Sequence, residues 1–87
     1  MTQEERAEYK VLALMTPDTH KFAIQVNYPL SEEKQQALER LQLRDWIRLI
    51  DVAEMSAFPG VLMRIFLVMP QAVTWYILWM ADLGQVR

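Results

Sequence analysis

Eighty-seven residues, 53% of them apolar, with only two glycines and no cysteine, describe one small folded domain and exclude a disordered or disulfide-stapled chain. A formal charge of −2 and a pI near 5.3 give no global pull toward nucleic acid or an anionic membrane. Without thiols there is no cysteine-ligated zinc, and the composition fits a reducing, cytoplasmic setting.

A chain this short buries little interior, so its apolar excess leads to the expectation of a homodimer. The opening "MTQEERAEYK" is charged and mainly acidic, unlike the basic start and apolar run of a signal peptide.

The first element spans residues 2–15. Thr2 followed three residues later by Glu5 is a capping-box signature, and Glu4 and Glu5 suit the positive end of a helix. Ala7, Val11, Leu14 and Met15 then fall on one helical stripe. Tyr9, Val11, Ala13 and Met15 also alternate as in a strand, so residues 9–15 compete for both states, with the cap favouring helix. "TPDT", residues 16–19, ends the element, because Pro17 cannot continue a helix and Asp18 and Thr19 form turns.

Residues 20–28, "HKFAIQVNY", stay open. Phe22, Ile24 and Val26 alternate, whereas Phe22, Ala23 and Val26 make a helical stripe. Residues 31–44 read as a helix: Ser31 caps it, Glu32 and Glu33 follow, and Ala37, Leu38 and Leu41 form the buried stripe.

Residues 45–69 read as a β-hairpin. "DWIRLIDVAEM" and "VLMRIFLVM" are rich in branched and aromatic residues, and "SAFPG" between them marks a turn. In extended form Trp46, Arg48, Ile50 and Val52 share a face, as do Leu62, Arg64, Phe66 and Val68. Both faces of the second strand are largely apolar, so both are expected to be covered.

The window 61–81 is long enough to span a bilayer, but Arg64 and Pro70 interrupt it. It reads instead as a strand followed by a helix over 70–84. Pro70 opens that helix and Gly84 caps it. "QAVTWYILWMADL" is apolar nearly all round, so two sides of the helix must be buried.

In the order helix, short helix, turn, helix, hairpin, helix, the chain resembles the winged helix-turn-helix domain. The likeness runs over residues 5–83 and is most specific in "AIQVNYPLSEEKQQALERLQLRDWIRLIDV". It places Ala23 and Ile24 on the second helix, "SEEKQQALERL" as recognition helix and "SAFPG" at the wing tip, and it requires residues 20–28 to be helical. The resemblance implies DNA binding by a dimer, with Lys34, Gln35, Gln36 and Arg40 facing the major groove. Three features depart from the family pattern. Glu32 and Glu33 open the recognition helix, the wing tip carries no cation, and the chain is slightly acidic.

No catalytic constellation stands out. His20 is the only histidine and reads as a solvated turn residue; Ser31 and Ser56 lack any nucleophile motif, and there is no glycine-rich phosphate loop. Neither a metal, a cofactor nor a small-molecule substrate is expected, and a membrane is not the expected partner. Arg48 and Arg64 within apolar strands read either as side chains snorkelling toward carboxylates or as a cationic patch. Phe58 at the loop tip is a candidate partner-binding anchor.

The chain is therefore expected to be one small, non-enzymatic, cytoplasmic α+β domain of winged-helix type. A ββαββα arrangement with an antiparallel sheet is the alternative if residues 9–15 and 20–27 pair as strands. DNA-binding regulation is the first expected function, through Lys34, Gln35, Gln36, Arg40, Arg48 and Arg64. The second is a protein-binding adaptor or inhibitor, of phage or mobile-element type, acting by steric blocking. Dimerisation is assigned to Trp75, Tyr76, Trp79 and Leu83 on the last helix.

Overall fold

The computed structural model describes residues 2–54 and 62–85. Helix α1 (Gln3–Leu12) leads into strands β1 (Thr16–Asp18) and β2 (Lys21–Asn27). Helix α2 (Glu32–Leu43), strands β3 (Ile47–Glu54) and β4 (Leu62–Val68) and helix α3 (Pro70–Gln85) complete an α+β fold. All strand pairs are antiparallel, in the spatial order β1-β2-β4-β3. From β1 onward the order is ββαββα, with α1 ahead of it. The first strand of that order lies at 16–18 and not within 9–15.

Residues 21–27 form a strand, and not the second helix that the winged-helix resemblance places over Ala23 and Ile24. The reason is pairing at long range. Ile24 stands opposite Phe66 and Phe22 opposite Val68, so β-branched and aromatic side chains share one face of the sheet. Local spacing supports either state, and burial against β4 decides.

Local signals fixed both helix starts. The Thr2 hydroxyl accepts from the Glu5 N–H at 3.1 Å, and the Glu5 carboxylate accepts from the Thr2 N–H at 3.0 Å. Ser31 Oγ accepts from the Lys34 N–H at 3.3 Å. The expected 2–15 helix ends earlier, at Leu12, and two tight turns through Leu14 and Met15 lead into β1.

Helix α2 stops in a Schellman motif. The Trp46 N–H donates to the Leu41 carbonyl at 3.0 Å and the Asp45 N–H to Gln42 at 2.9 Å. Asp45 occupies the left-handed position at φ 61° that glycine usually fills.

All three helices pack on one face of the sheet. That face carries Ile24, Val26, Ile47, Phe66 and Val68, which join Ala7, Val11, Leu12, Ala37, Leu38, Leu41, Ala72 and Trp79 in a single core. The opposite face presents Met63, Ile65 and Leu67 from β4, half-buried between the side chains of β2 and β3. Both faces of β4 were expected to be covered. Helices cover one; no element among the described residues lies over the other, where the β4 side chains are half-buried.

Strand β3 departs from simple alternation. Leu49 partners Phe66 and Asp51 partners Ile65, so Ile50 is a bulge between them. Ile47, Leu49 and Val52 consequently share the face that meets the helices, where only Ile47 is buried, whereas Arg48, Asp51 and Ala53 face the other way. The expected shared face of Arg48, Ile50 and Val52 is broken by that bulge. The expected set Leu62, Arg64, Phe66 and Val68 does share a face. Helix α3 starts at Pro70 as expected and runs through Gly84 to Gln85. The turn "SAFPG" lies outside the described residues.

A buried carboxylate staples α1 to α2. Glu8, 2% exposed, accepts from Arg40 Nε at 3.2 Å and from Arg44 Nη2 at 2.8 Å, both at Oε1. Removing one partner of such a group strands the other charges, and the arginine heads reach solvent, which moderates the loss. Glu8→Ala is expected to lower unfolding free energy by about 2 kcal/mol. Glu8→Gln, which keeps the volume, should lose less; urea denaturation of the three proteins is the measurement.

Candidate functional site

The side chains expected to face DNA are mostly engaged inside the chain. Arg40 holds Glu8 and also donates to the Glu4 carbonyl at 3.3 Å. Gln36 Nε2 donates to Glu32 Oε1 at 3.3 Å, one turn back on the same helix. Gln35 is exposed, Lys34 is half-buried, and around them lie the exposed carboxylates of Glu32, Glu33 and Glu39. The outer surface of α2 is thus acidic with one available cation, Lys34, among the described residues.

The two strand arginines do not form one patch. Arg48 aligns with Leu67 and Arg64 with Val52, which puts them on opposite faces of the hairpin. Arg48 makes a bidentate pair with Asp45, Nε to Oδ1 at 2.8 Å and Nη2 to Oδ2 at 2.7 Å. Arg64 lies 4.8 Å over the Tyr28 ring, and its Nε is buried without a hydrogen-bond partner. The snorkelling alternative describes Arg48; Arg64 is held by an aromatic ring.

The residues assigned to a dimer contact separate in the same way. Trp79 is buried in the protomer and Tyr76 is half-buried. They join Tyr9, Trp46 and Trp75 in one aromatic chain: Tyr9 stacks on Tyr76 at 5.1 Å, Trp46 stacks on Trp75 at 5.8 Å, and Trp79 lies 5.6 Å from Trp75. Arg44 caps it, 4.2 Å over Trp46. Burial, and then the Tyr9 phenol beside it, pushes the Tyr76 hydroxyl above its ordinary range. Tyr76 and Trp79 are therefore internal, while Trp75 and Leu83 remain exposed. Phe58 lies outside the described residues.

Apart from the separate Leu14, Phe22 and Leu43, the exposed large apolar side chains gather in two places. Leu49, Ile50 and Val52 line β3, with Leu62 beside them on β4. Trp75, Ile77, Leu78 and Met80 crowd the outside of α3. The first group sits at a sheet edge, since β3 ends the strand order and its residues 47–53 have a neighbouring strand on one side alone among the described residues. The other edge, β1, has three residues and contains Pro17, which donates no N–H. Sequence patterning showed β3 as a strand rich in branched and aromatic residues; that it is an edge follows only from the topology.

Among the shallow clefts, one is polar and another mainly apolar. The polar one, between α1 and α2, is lined by Gln3, Glu4, Glu32, Glu33, Gln36 and Arg40. The apolar one, at the start of β2, brings His20 and Phe22 to Leu67, Pro70 and Val73. No cluster of three metal-ligating side chains occurs among the described residues, and no described helix is long and apolar enough to cross a membrane. Compared with known proteins, the chain matches no family model, no curated protein and no solved structure.

The Arg48 guanidinium, through its hydrogen bonds and then its charge, holds the Asp45 carboxyl below its ordinary value. A carboxyl whose pKa is lowered by folding adds stability above its unfolded value, near about 3.9, and loses it as pH falls through the folded value. Carbon-detected NMR titration should place the Asp45 midpoint below that of an unperturbed aspartate. Arg48→Ala should return it toward the ordinary range and shift acid unfolding to higher pH.

Proposed function

We propose that this chain is a non-catalytic, cytoplasmic protein-binding domain, an adaptor or inhibitor that blocks its partner sterically and receives an extended partner segment along β3. The observation that carries this reading is the contrast on the surface. Arg40, Arg48 and Arg64 are spent on carboxylates or an aromatic ring, while Leu49, Ile50 and Val52 stand exposed on an unpaired strand edge.

A nucleic-acid surface needs free cations to displace condensed counterions. A strand edge offers main-chain donors and acceptors for affinity, and alternate side-chain pockets for specificity. The bulge at Ile50 disfavours a second copy of β3 as occupant, because two bulged strands do not align residue for residue. A different protein's segment can supply the matching count. The exposed carboxylate of Asp51 favours a lysine or arginine on the segment's outward side.

Fluorescence anisotropy with a mixed-sequence DNA duplex at about 50 mM salt should show no binding. Affinity capture from the native host, followed by reconstitution with the purified partner, should give a complex in which β3 amides exchange more slowly. Ile50→Lys should abolish that complex without altering the circular dichroism spectrum, and Lys34→Ala should leave it intact. Tight, salt-sensitive DNA binding lost on Lys34→Ala, or a complex indifferent to both Ile50→Lys and Val52→Lys, would overturn the reading.

A further inference from the structure

Helix α3 has a second surface that the protomer leaves unused. At helical spacing, Ala72 and Trp79 point into the core, with Val73 and Tyr76 packed at its margin. Directly opposite lie Thr74, Ile77, Leu78 and Ala81, all exposed. Ile77 is 52% and Leu78 57% exposed, and the flanks continue the surface with Met80 at 48% and Trp75 at 43%. Leu83 falls on the inward side, one turn past Trp79.

Polar character on this surface is largely neutralised. The Thr74 hydroxyl donates to the Pro70 carbonyl of its own helix at 3.1 Å, and the Gln71 amide donates to the Asp45 carbonyl at 3.3 Å. Asp82 is the one charged side chain in residues 70–83. A surface helix of a lone protomer carries a polar half, and this one does not.

We propose that the outer face of α3 is the interface of a two-fold dimer, packing antiparallel against α3 of a second copy of this chain through Thr74, Ile77, Leu78 and Ala81. Three arguments select a second copy as occupant. The first is charge. The face carries none in its centre, so laying it on itself brings no like charges together and offers nothing for a charged partner to select.

The second is orientation. Antiparallel packing brings Asp82 of each copy beside the first turn of its partner's α3, which holds no acidic residue and where the positive end of the helix dipole favours a carboxylate. Thr74 then stands opposite Ala81 across the axis, with Ile77 against Leu78.

The third is area. Four large side chains left about half exposed make an apolar patch on the order of 400 Å², as large as the largest patch on a typical monomer. Self-pairing of that patch with its margins removes roughly 1,000 Å² in all, the small end of specific interfaces. A modest, concentration-dependent dimer is the consequence. The contact uses no residue of β3, so each copy keeps its own strand edge and the pair presents two.

Sedimentation equilibrium of the full chain tests this directly. The wild type should shift with concentration from the 10.3 kDa chain mass toward twice that value. Leu78→Glu should stay at 10.3 kDa with an unchanged helical spectrum, whereas Ile50→Lys should still dimerise. Because the chain has no cysteine, Ile77→Cys should form a covalent pair on mild oxidation, which a fold defect in the glutamate variant would not imitate. The proposal falls if the wild type keeps its single-chain mass at every concentration, or if Leu78→Glu retains the doubled mass. It falls equally if a monomeric wild type floats with phosphatidylcholine vesicles and Leu78→Glu does not, since lipid would then be the occupant.

Discussion

The pairing of β2 with β4 is the constraint from which the rest of the molecule follows. Ile24 opposite Phe66 and Val26 opposite Arg64 fix which face of the sheet meets the helices. A slip of one residue would turn Gln25 and Asn27 inward and expose Ile24 and Val26. With β2 seated there, β4 becomes an inner strand and β3 is pushed to the edge. The chain leaving β4 then has only Met69 before Pro70 starts α3 over the same core, where Ala72 and Trp79 complete it.

Signals that act within one turn of the chain were legible without coordinates. Thr2 with Glu5, Ser31 with Lys34, and Pro70 at a helix start each satisfy backbone groups close in sequence, and each appears where the residues place it. Features set by distant partners were not. The tract 21–27 offers its apolar residues at both periods, and only β4 tells them apart. The bulge at Ile50 has no glycine or proline to mark it. Trp79 reads as spare until Tyr9, seventy residues earlier, is found at 6.3 Å from its ring. The candidate site divides along the same line: exposed apolar residues on β3 and α3 were visible as composition, and their surplus became visible only once the core was assigned.

The arginines show how a plausible ligand surface can be absorbed by the fold. Arg40 and Arg44 converge on the single oxygen of Glu8, and Arg44 also covers the Trp46 ring. Two cations thereby anchor α1 and the aromatic chain to the end of α2. Just beyond, Asp45 closes the helix in a left-handed conformation and turns its carboxylate to Arg48 at the start of β3. The α2–β3 junction is thus held by three arginines in succession, none of which is left as an unpaired charge. Folding stability and nucleic-acid affinity draw on the same side chains here, and the fold takes them.

The two edges of the sheet are treated differently, and the difference bears on what the surface is for. A short strand with a proline, as in β1, is a usual way to blunt an edge. Strand β3 is long, yet it carries the bulge and the charged residues Arg48 and Asp51. Those devices prevent open-ended stacking of identical strands without closing the edge to a segment of matched count. Leu49, Ile50 and Val52 would be a liability on a surface without use, because apolar edge residues invite uncontrolled association. An edge guarded against its own copies but still apolar supports the proposed binding of another chain, and the almost uncharged outer face of α3 supports the proposed pairing of copies.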